Sequence, residues 1–201
     1  MKESKTNITQ LLENICLGND QKSFEEVFKI FYERLLNFCI HYTKDRESAE
    51  EIVSDVLNKI WFKRSELSHV QNLETYLFIS TKNQSINYTK QFSNYRVTYL
   101  EETGMHQLLN TRDPGKELER RELIFKMNQA IETLPQQCKI IFSLVKEEGL
   151  KYKEVAQILN ISPRTVETQL VRALQKLDKI LSPYIHDHNI PKKEKAKQLQ
   201  K

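Results

Sequence analysis

Glycine and proline are scarce, at four and five in 201 residues. So few breakers favour helices, and they argue against a Gly-rich phosphate loop or a turn-dense β-sandwich. Long apolar runs are missing too. No stretch approaches the roughly 18 residues of a membrane helix. The N-terminus, MKESKTNITQLLENICLGND, has no apolar segment bounded by a small-residue cleavage site, so secretion is not expected. Cys16, Cys39 and Cys138 are widely spaced and form no CxxC pair, which suggests neither a disulfide framework nor a zinc site and fits a reducing cytoplasm. The five histidines include no HExxH, and His186-Asp187-His188 on a polar tail is their one local cluster. With no nucleophile elbow, metal motif or phosphate loop, no cofactor, no metal, no small-molecule substrate and no catalytic activity are expected.

What is present is a helical pattern in two blocks. Hydrophobic residues make up 39% of the chain, enough for a core. Phe24, Val27, Phe28, Phe31, Tyr32, Leu35, Leu36 and Cys39 recur at intervals of three and four and predict one continuous helix. Ala49, Ile52, Val53, Val56, Leu57, Ile60 and Trp61 predict a second. Leu73, Tyr76, Leu77 and Ser80 open a third, whose apolar face weakens toward Asn83, Gln84 and Asn87. A helix that turns polar while staying free of Gly and Pro asks for an explanation beyond packing. From residue 93 to 116 periodicity is lost and Asp113-Pro114-Gly115 adds a turn signal, so this stretch reads as a flexible linker. The pattern resumes with Leu123, Met127, Ala130, Ile131 and Leu134. A short helix follows through Cys138, Ile141, Phe142 and Val145, closing near Gly149. The fold class expected is therefore all-α: two small helical domains joined by a linker. The boundaries are an N-terminal extension over 1–19, a first domain over 20–92, the linker over 93–116, a second domain over 117–182 and a tail over 183–201. The net charge is +4, but the tail holds five lysines against Asp187 and Glu194. Nucleic-acid contact by the folded part must then come from local patches, with the tail adding non-specific phosphate attraction.

The clearest motif spans Tyr152–Arg172. Val155, Ala156 and Leu159 give a narrow apolar face. Asn160 suits a left-handed turn residue, and Ile161 can plug the space between two helices. Ser162 is a good N-cap and Pro163 suits the first helical position. Val166, Leu170, Ala173, Leu174 and Leu177 form the inward stripe of the next helix. Order and spacing together predict a DNA-binding helix-turn-helix. Arg164, Thr165, Glu167, Thr168, Val171 and Arg172 are left outward or flanking. Arg can read guanine bidentately, Glu can accept from cytosine N4, and a Thr or Val methyl can meet the thymine methyl. Lys151 and Lys153 suit phosphates.

These residues resemble a known family. LPQQCKIIFSLVKEEGLKYKEVAQILNISPRTVETQLVRALQKL (134–177) is similar to the promoter-binding domain of extracytoplasmic-function sigma factors of the sigma-70 family. DRESAEEIVSDVLNKIW (45–61) and NLETYLFISTKNQSINYTK (72–90) resemble their N-terminal domain. The style is close to the sigma factors common in Bacteroidetes, many of which are controlled by membrane-anchored anti-sigma factors. The resemblance implies a cytoplasmic specificity subunit that binds core RNA polymerase and promoter DNA, with an anti-sigma factor as a further partner. It implies polymerase contact by Glu50, Glu51, Asp55, Asn58 and Lys59. It also implies capture of the minus-ten element by Lys82, Asn83, Asn87, Tyr88 and Lys90, and of the minus-thirty-five element by the second helix of the motif. Stacking aromatics beside cations are what single-stranded bases require. One departure stands out: Asn87-Tyr88-Thr89-Lys90 lacks the arginines many relatives carry there. Two rival readings remain. A free-standing dimeric regulator would need a palindromic site. A helical enzyme would need a catalytic constellation.

Overall fold

The computed structural model describes residues 2–92 and 114–189. Among them every regular element is helical: α1 (Lys2–Gly18), α2 (Gln21–Thr43), α3 (Arg46–Phe62), a 3₁₀ segment (Arg64–His69), α4 (Leu73–Phe92), α5 (Pro114–Glu132), α6 (Gln136–Phe142), a π-helical turn (Ser143–Glu147), α7 (Tyr152–Leu159) and α8 (Pro163–Asn189). The all-α expectation holds. The described residues divide into two compact units, one drawn from 1–104 together with Ser143–Pro163, the other from 105–142 with 164–201. This division falls inside the segment 117–182 expected as the second domain. Most of the expected linker, 93–113, and the end of the tail, 190–201, lie outside the described residues, as do the side chains of His186, Asp187 and His188.

In the first unit the sequence caps its own helices. Asp20 accepts from the amides of Lys22 and Ser23 at 3.1 and 3.3 Å, starting α2. Lys44 ends α2 in the left-handed region, and Asp45 accepts from the Ser48 amide at 2.9 Å to start α3. Of the predicted α2 stripe, Val27, Phe31, Leu35, Leu36 and Cys39 are buried, while Phe24, Phe28 and Tyr32 are half-buried. Those three form an aromatic ladder, Phe28 stacking on Tyr32 at 5.3 Å, with Trp61 against Phe24 at 5.4 Å. Phe38, outside the predicted stripe, is buried edge-on against Phe78 at 5.1 Å. The extension expected over 1–19 contains α1, with Leu11, Leu12 and Ile15 buried.

The polar drift of α4 has a packing explanation after all. Its buried stripe continues past Leu77 through Thr81 and Ser85, both fully buried. Small hydroxyls fit a helix interface because they can bond their own helix: the Ser85 hydroxyl donates to the Thr81 carbonyl at 2.7 Å. Its oxygen lies 3.1 Å from the Cys39 sulfur. Burial pushes the Cys39 thiol up to about 11, against the opposing Ser85 hydrogen bond.

In the second unit Ala130, Leu134, Cys138, Ala173 and Leu177 make the core, with Ile131, Phe142, Ile180 and Leu181 packed against it. Leu123, Met127 and Leu174, expected to face inward, are 38%, 41% and 39% exposed. The core they were expected to join is built on the small side chains of Ala130 and Ala173. The Cys138 thiol donates to the Gln169 side-chain oxygen at 3.0 Å, and Lys176 donates to the Thr133 carbonyl.

Candidate nucleic-acid interface

The turn of the predicted motif forms as its residues dictate. Asn160 sits at φ 56°, ψ 50°, and the amide of Ile161 closes the turn on the Ala156 carbonyl at 3.0 Å. Asn accepts this left-handed conformation better than most residues. Upstream, Gly149 at φ 68° turns the chain out of the π-helical segment, where an L side chain would be strained. The Glu154 carboxylate accepts from the Lys151 amide at 2.7 Å, fixing the start of α7. The apolar face of α7 is Val155, Ala156 and Ile158; Ile158 is fully buried, and Leu159, expected in that place, is half-buried. Lys151 and Lys153 are exposed at the entrance of α7.

On α8, Val166, Leu170, Ala173 and Leu177 are buried. Arg164, Glu167, Thr168, Val171 and Arg172 are exposed, and their spacing at i, i+3, i+4, i+7 and i+8 puts them on one face. Thr165 is half-buried at its edge. The Thr168 hydroxyl donates to the Arg164 carbonyl at 2.9 Å, which orients its methyl and leaves the oxygen as an acceptor.

On α3, Glu51, Asp55, Asn58 and Lys59 are exposed along one face. Glu51 and Asp55 have no ion-pair partner among the described residues, whereas Glu50 is half-buried and paired with Arg46 at 2.8 Å. A bare acidic stripe of this kind suits a basic protein partner.

The α4 group divides. Asn83, Asn87 and Lys90 are exposed at i, i+4 and i+7. Tyr88 is half-buried, its hydroxyl 2.7 Å from that of Ser48 on α3. Its place could have been read from the sequence, because Leu77, Thr81, Ser85 and Tyr88 continue one helical stripe once hydroxyls are admitted as buried residues. Lys82 is half-buried, and its ammonium donates to the Ile158 carbonyl at 2.6 Å. Burial lowers the Lys82 pKa.

An ion cluster escaped the sequence reading entirely. Arg34 on α2 bonds Glu74 on α4 at 2.5 Å and Glu148 at 2.6 Å. Its guanidinium also lies over the rings of Phe31 and Phe78, at 5.1 and 5.8 Å. Burial works against the Arg34 charge, but the Glu74 hydrogen bond and the Glu148 charge outweigh it and raise the pKa. Burial raises the Glu148 pKa despite Arg34. Nothing local in the sequence joins residues so far apart, so no motif could have shown this cluster.

Comparison with known proteins gives this arrangement a family. Residues 27–93 match sigma-70 region 2, and residues 124–177 match sigma-70 region 4, together more than half of the chain. The RNA polymerase sigma-H factor of Pseudomonas aeruginosa is 23% identical over 89% of this chain and 95% of that protein. The extracytoplasmic-function sigma factor SigM of Bacillus subtilis is 22% identical over 82% of this chain and 99% of that protein. Among solved structures, the sigma factor RpoE of Bartonella quintana, in complex with the anti-sigma factor NepR, superposes with a TM-score of 0.59 at 20% identity, over 80% of this chain and 98% of that one. CnrH, in complex with the cytosolic domain of CnrY, gives 0.55 at 15% identity, over 89% and 96%. At these identities the structures speak for the fold, and the two sequence regions in their order speak for the family. The chain belongs to the sigma-70 family as an extracytoplasmic-function sigma factor, an RNA polymerase subunit that directs transcription initiation.

Proposed function

We propose that α8 enters the major groove of the minus-thirty-five element and that Arg164, Thr165, Glu167, Thr168, Val171 and Arg172 meet bases and flanking phosphates there. Lys151 and Lys153 take phosphates. The observation that carries this reading is the single exposed face of Arg164, Glu167, Thr168, Val171 and Arg172, whose donors, acceptor and methyls match the chemistry of base edges. Unpaired bases near minus ten are captured by α4 through Asn83, Asn87 and Lys90, with Lys82 joining once freed from Ile158 and Tyr88 supporting from the α3 side. Glu51, Asp55, Asn58 and Lys59 of α3, with Glu50 beside them, dock on core polymerase. The functional segments are 20–92 and 117–182, with 93–116 spanning between them along polymerase. The sequence style supports a Bacteroidetes-type member. The two complexes of related folds support an anti-sigma partner here, and the family style supports its being membrane-anchored. No described helix is long and apolar enough to cross a membrane, in keeping with a cytoplasmic site of action. Polymerase supplies the catalysis.

The test is transcription by core polymerase with and without the purified chain. Promoter-specific initiation requires both. Glu51→Lys lowers polymerase affinity about tenfold or more, as reversing a contact charge does, while DNA binding through α8 is unchanged. Equal loss of both activities would mean misfolding rather than a lost interface, whereas unchanged polymerase affinity in the folded variant would remove α3 as the docking face.

A further inference from the structure

Among the described residues the two most exposed large hydrophobics are Leu17 and Phe62, at 81% and 77%. Phe62 is the last residue of α3, and Leu17 is next to last in α1. Two residues beyond each stands one member of a clasp that joins these helix ends. Arg64 donates through Nε to the Asn19 side-chain oxygen, and through Nη1 to the Trp61 carbonyl at 2.7 Å. Its guanidinium also covers the Trp61 ring at 4.7 Å, and Phe24 meets that ring at 5.4 Å. The clasp thus satisfies a terminal carbonyl of α3 and engages Trp61. Phe62 is left on a rigid helix end, facing solvent.

Helical geometry says which neighbours such a ring has. At about 3.6 residues per turn, Phe62 falls about 20° around the axis from Glu51, between Glu51 and Asp55, with Asn58 just beyond Glu51. The four residues share an arc of about 60° and span about 16 Å along the axis. The buried stripe of Ile52, Val53, Val56 and Ile60 lies on the opposite side. Carboxylates on an open face steer a basic partner to its place, but salt screens them and they hold it weakly. Interfaces take most of their affinity from a few apolar or aromatic side chains ringed by polar ones. A phenylalanine at the end of the Glu51–Asp55 row provides the apolar part that the row itself lacks.

We propose that Phe62 is the apolar anchor of the surface through which α3 docks on core polymerase, with Leu17 extending the patch onto α1. The complementary site is an apolar pocket flanked by basic side chains, because Glu51 and Asp55 share the face with Phe62. The proposal rests on α3 as the docking helix, and the experiment separates the two.

Binding of the purified full chain to core polymerase is followed by biolayer interferometry at low and at high salt. Phe62→Gln keeps a good helix former at an exposed position, so urea unfolding matches the wild type. It raises the dissociation rate about tenfold or more at both salts and leaves the association rate near wild type, as loss of an anchor does. Phe62→Leu keeps most of the affinity. Adding Leu17→Ser to Phe62→Gln speeds dissociation further, and no added loss takes Leu17 out of the patch. Glu51→Lys acts differently: it slows association at low salt and does so less at high salt. Unchanged dissociation of Phe62→Gln while Glu51→Lys still weakens binding overturns the anchor alone. Unchanged binding in both variants overturns the docking role of α3 and the anchor with it. Sedimentation of the free chain covers the other occupant. If the wild type self-associates and Phe62→Gln disperses it without changing polymerase binding, the patch serves a second copy and the proposal is overturned.

Discussion

Two helices of this chain are assigned to the same task, gripping DNA, and they carry it in opposite ways. Helix α8 separates its duties cleanly: an apolar stripe of Val166, Leu170, Ala173 and Leu177 is buried, and a face of Arg164, Glu167, Thr168, Val171 and Arg172 is exposed. Helix α4 mixes them. Its buried side includes Thr81 and Ser85, its aromatic Tyr88 bonds Ser48, and its Lys82 is held by a backbone carbonyl. A duplex groove admits a rigid helix whose outer face is ready-made. Unpaired bases have to be drawn in, and on α4 the proposed capture residues Asn83, Asn87 and Lys90 are exposed while Lys82 and Tyr88 are engaged within the protein.

This contrast can be broken or sharpened by substitution. The largest effect is expected at Phe78, fully buried on α4 against Phe38. Phe78→Ala should cost about 3–5 kcal/mol, read by urea unfolding. A loss below about 1 kcal/mol would mean that α4 is not anchored as its packing indicates. Next comes Arg172→Ala on the open face of α8, which should weaken promoter binding by about 1–3 kcal/mol if the guanidinium makes a bidentate base contact, with the unfolding midpoint unmoved. Unchanged promoter-specific transcription would take Arg172 off the reading face. Tyr88→Phe follows: losing the hydroxyl contact to Ser48 should lower stability by about 0.5–1.5 kcal/mol. If promoter opening instead collapses while stability holds, Tyr88 acts on DNA and the mixed character of α4 has been overstated.

The smallest effect is in pH. The Ser23 hydroxyl, followed by the amides of Lys22 and Ser23, holds the Asp20 carboxyl below its ordinary value of 3.8. A depressed acid stabilises the fold above its unfolded pKa, and that contribution fades as pH falls through the lower folded value. Acid unfolding of Asp20→Asn should therefore show a shallower pH dependence below about pH 4 than the parent chain. Parallel acid curves would show that the cap gains nothing from its charge.

Much of this fold was legible because it is local. Helical periodicity exposed the stripes of α2 and α3, and Asn160, Ser162 and Pro163 announced the turn of the motif before any geometry was known. What escaped was of two kinds. Phe38, Ile158, Thr81 and Ser85 are buried by neighbours that a helical wheel does not contain, so an apolar count put Leu159 where Ile158 belongs and read α4 as a polar face. Leu123, Met127 and Leu174 failed in the other direction, since periodicity marks an apolar side chain without saying how wide the opposing core is. Among the candidate site residues, the α8 face stood where spacing put it. Lys82 and Tyr88 proved to be engaged, and the partners engaging them, Ile158 and Ser48, lie 76 and 40 residues away. Arg34, Glu74 and Glu148 form a cluster across separations of 40 and 114 residues, beyond the reach of any motif.

The hydroxyl-lined interior of α4 has one practical consequence. Thiol chemistry proceeds through the thiolate, and Cys39, sealed beside Ser85 and raised to about 11, offers almost none at neutral pH. Peroxide signalling therefore finds no foothold at this position.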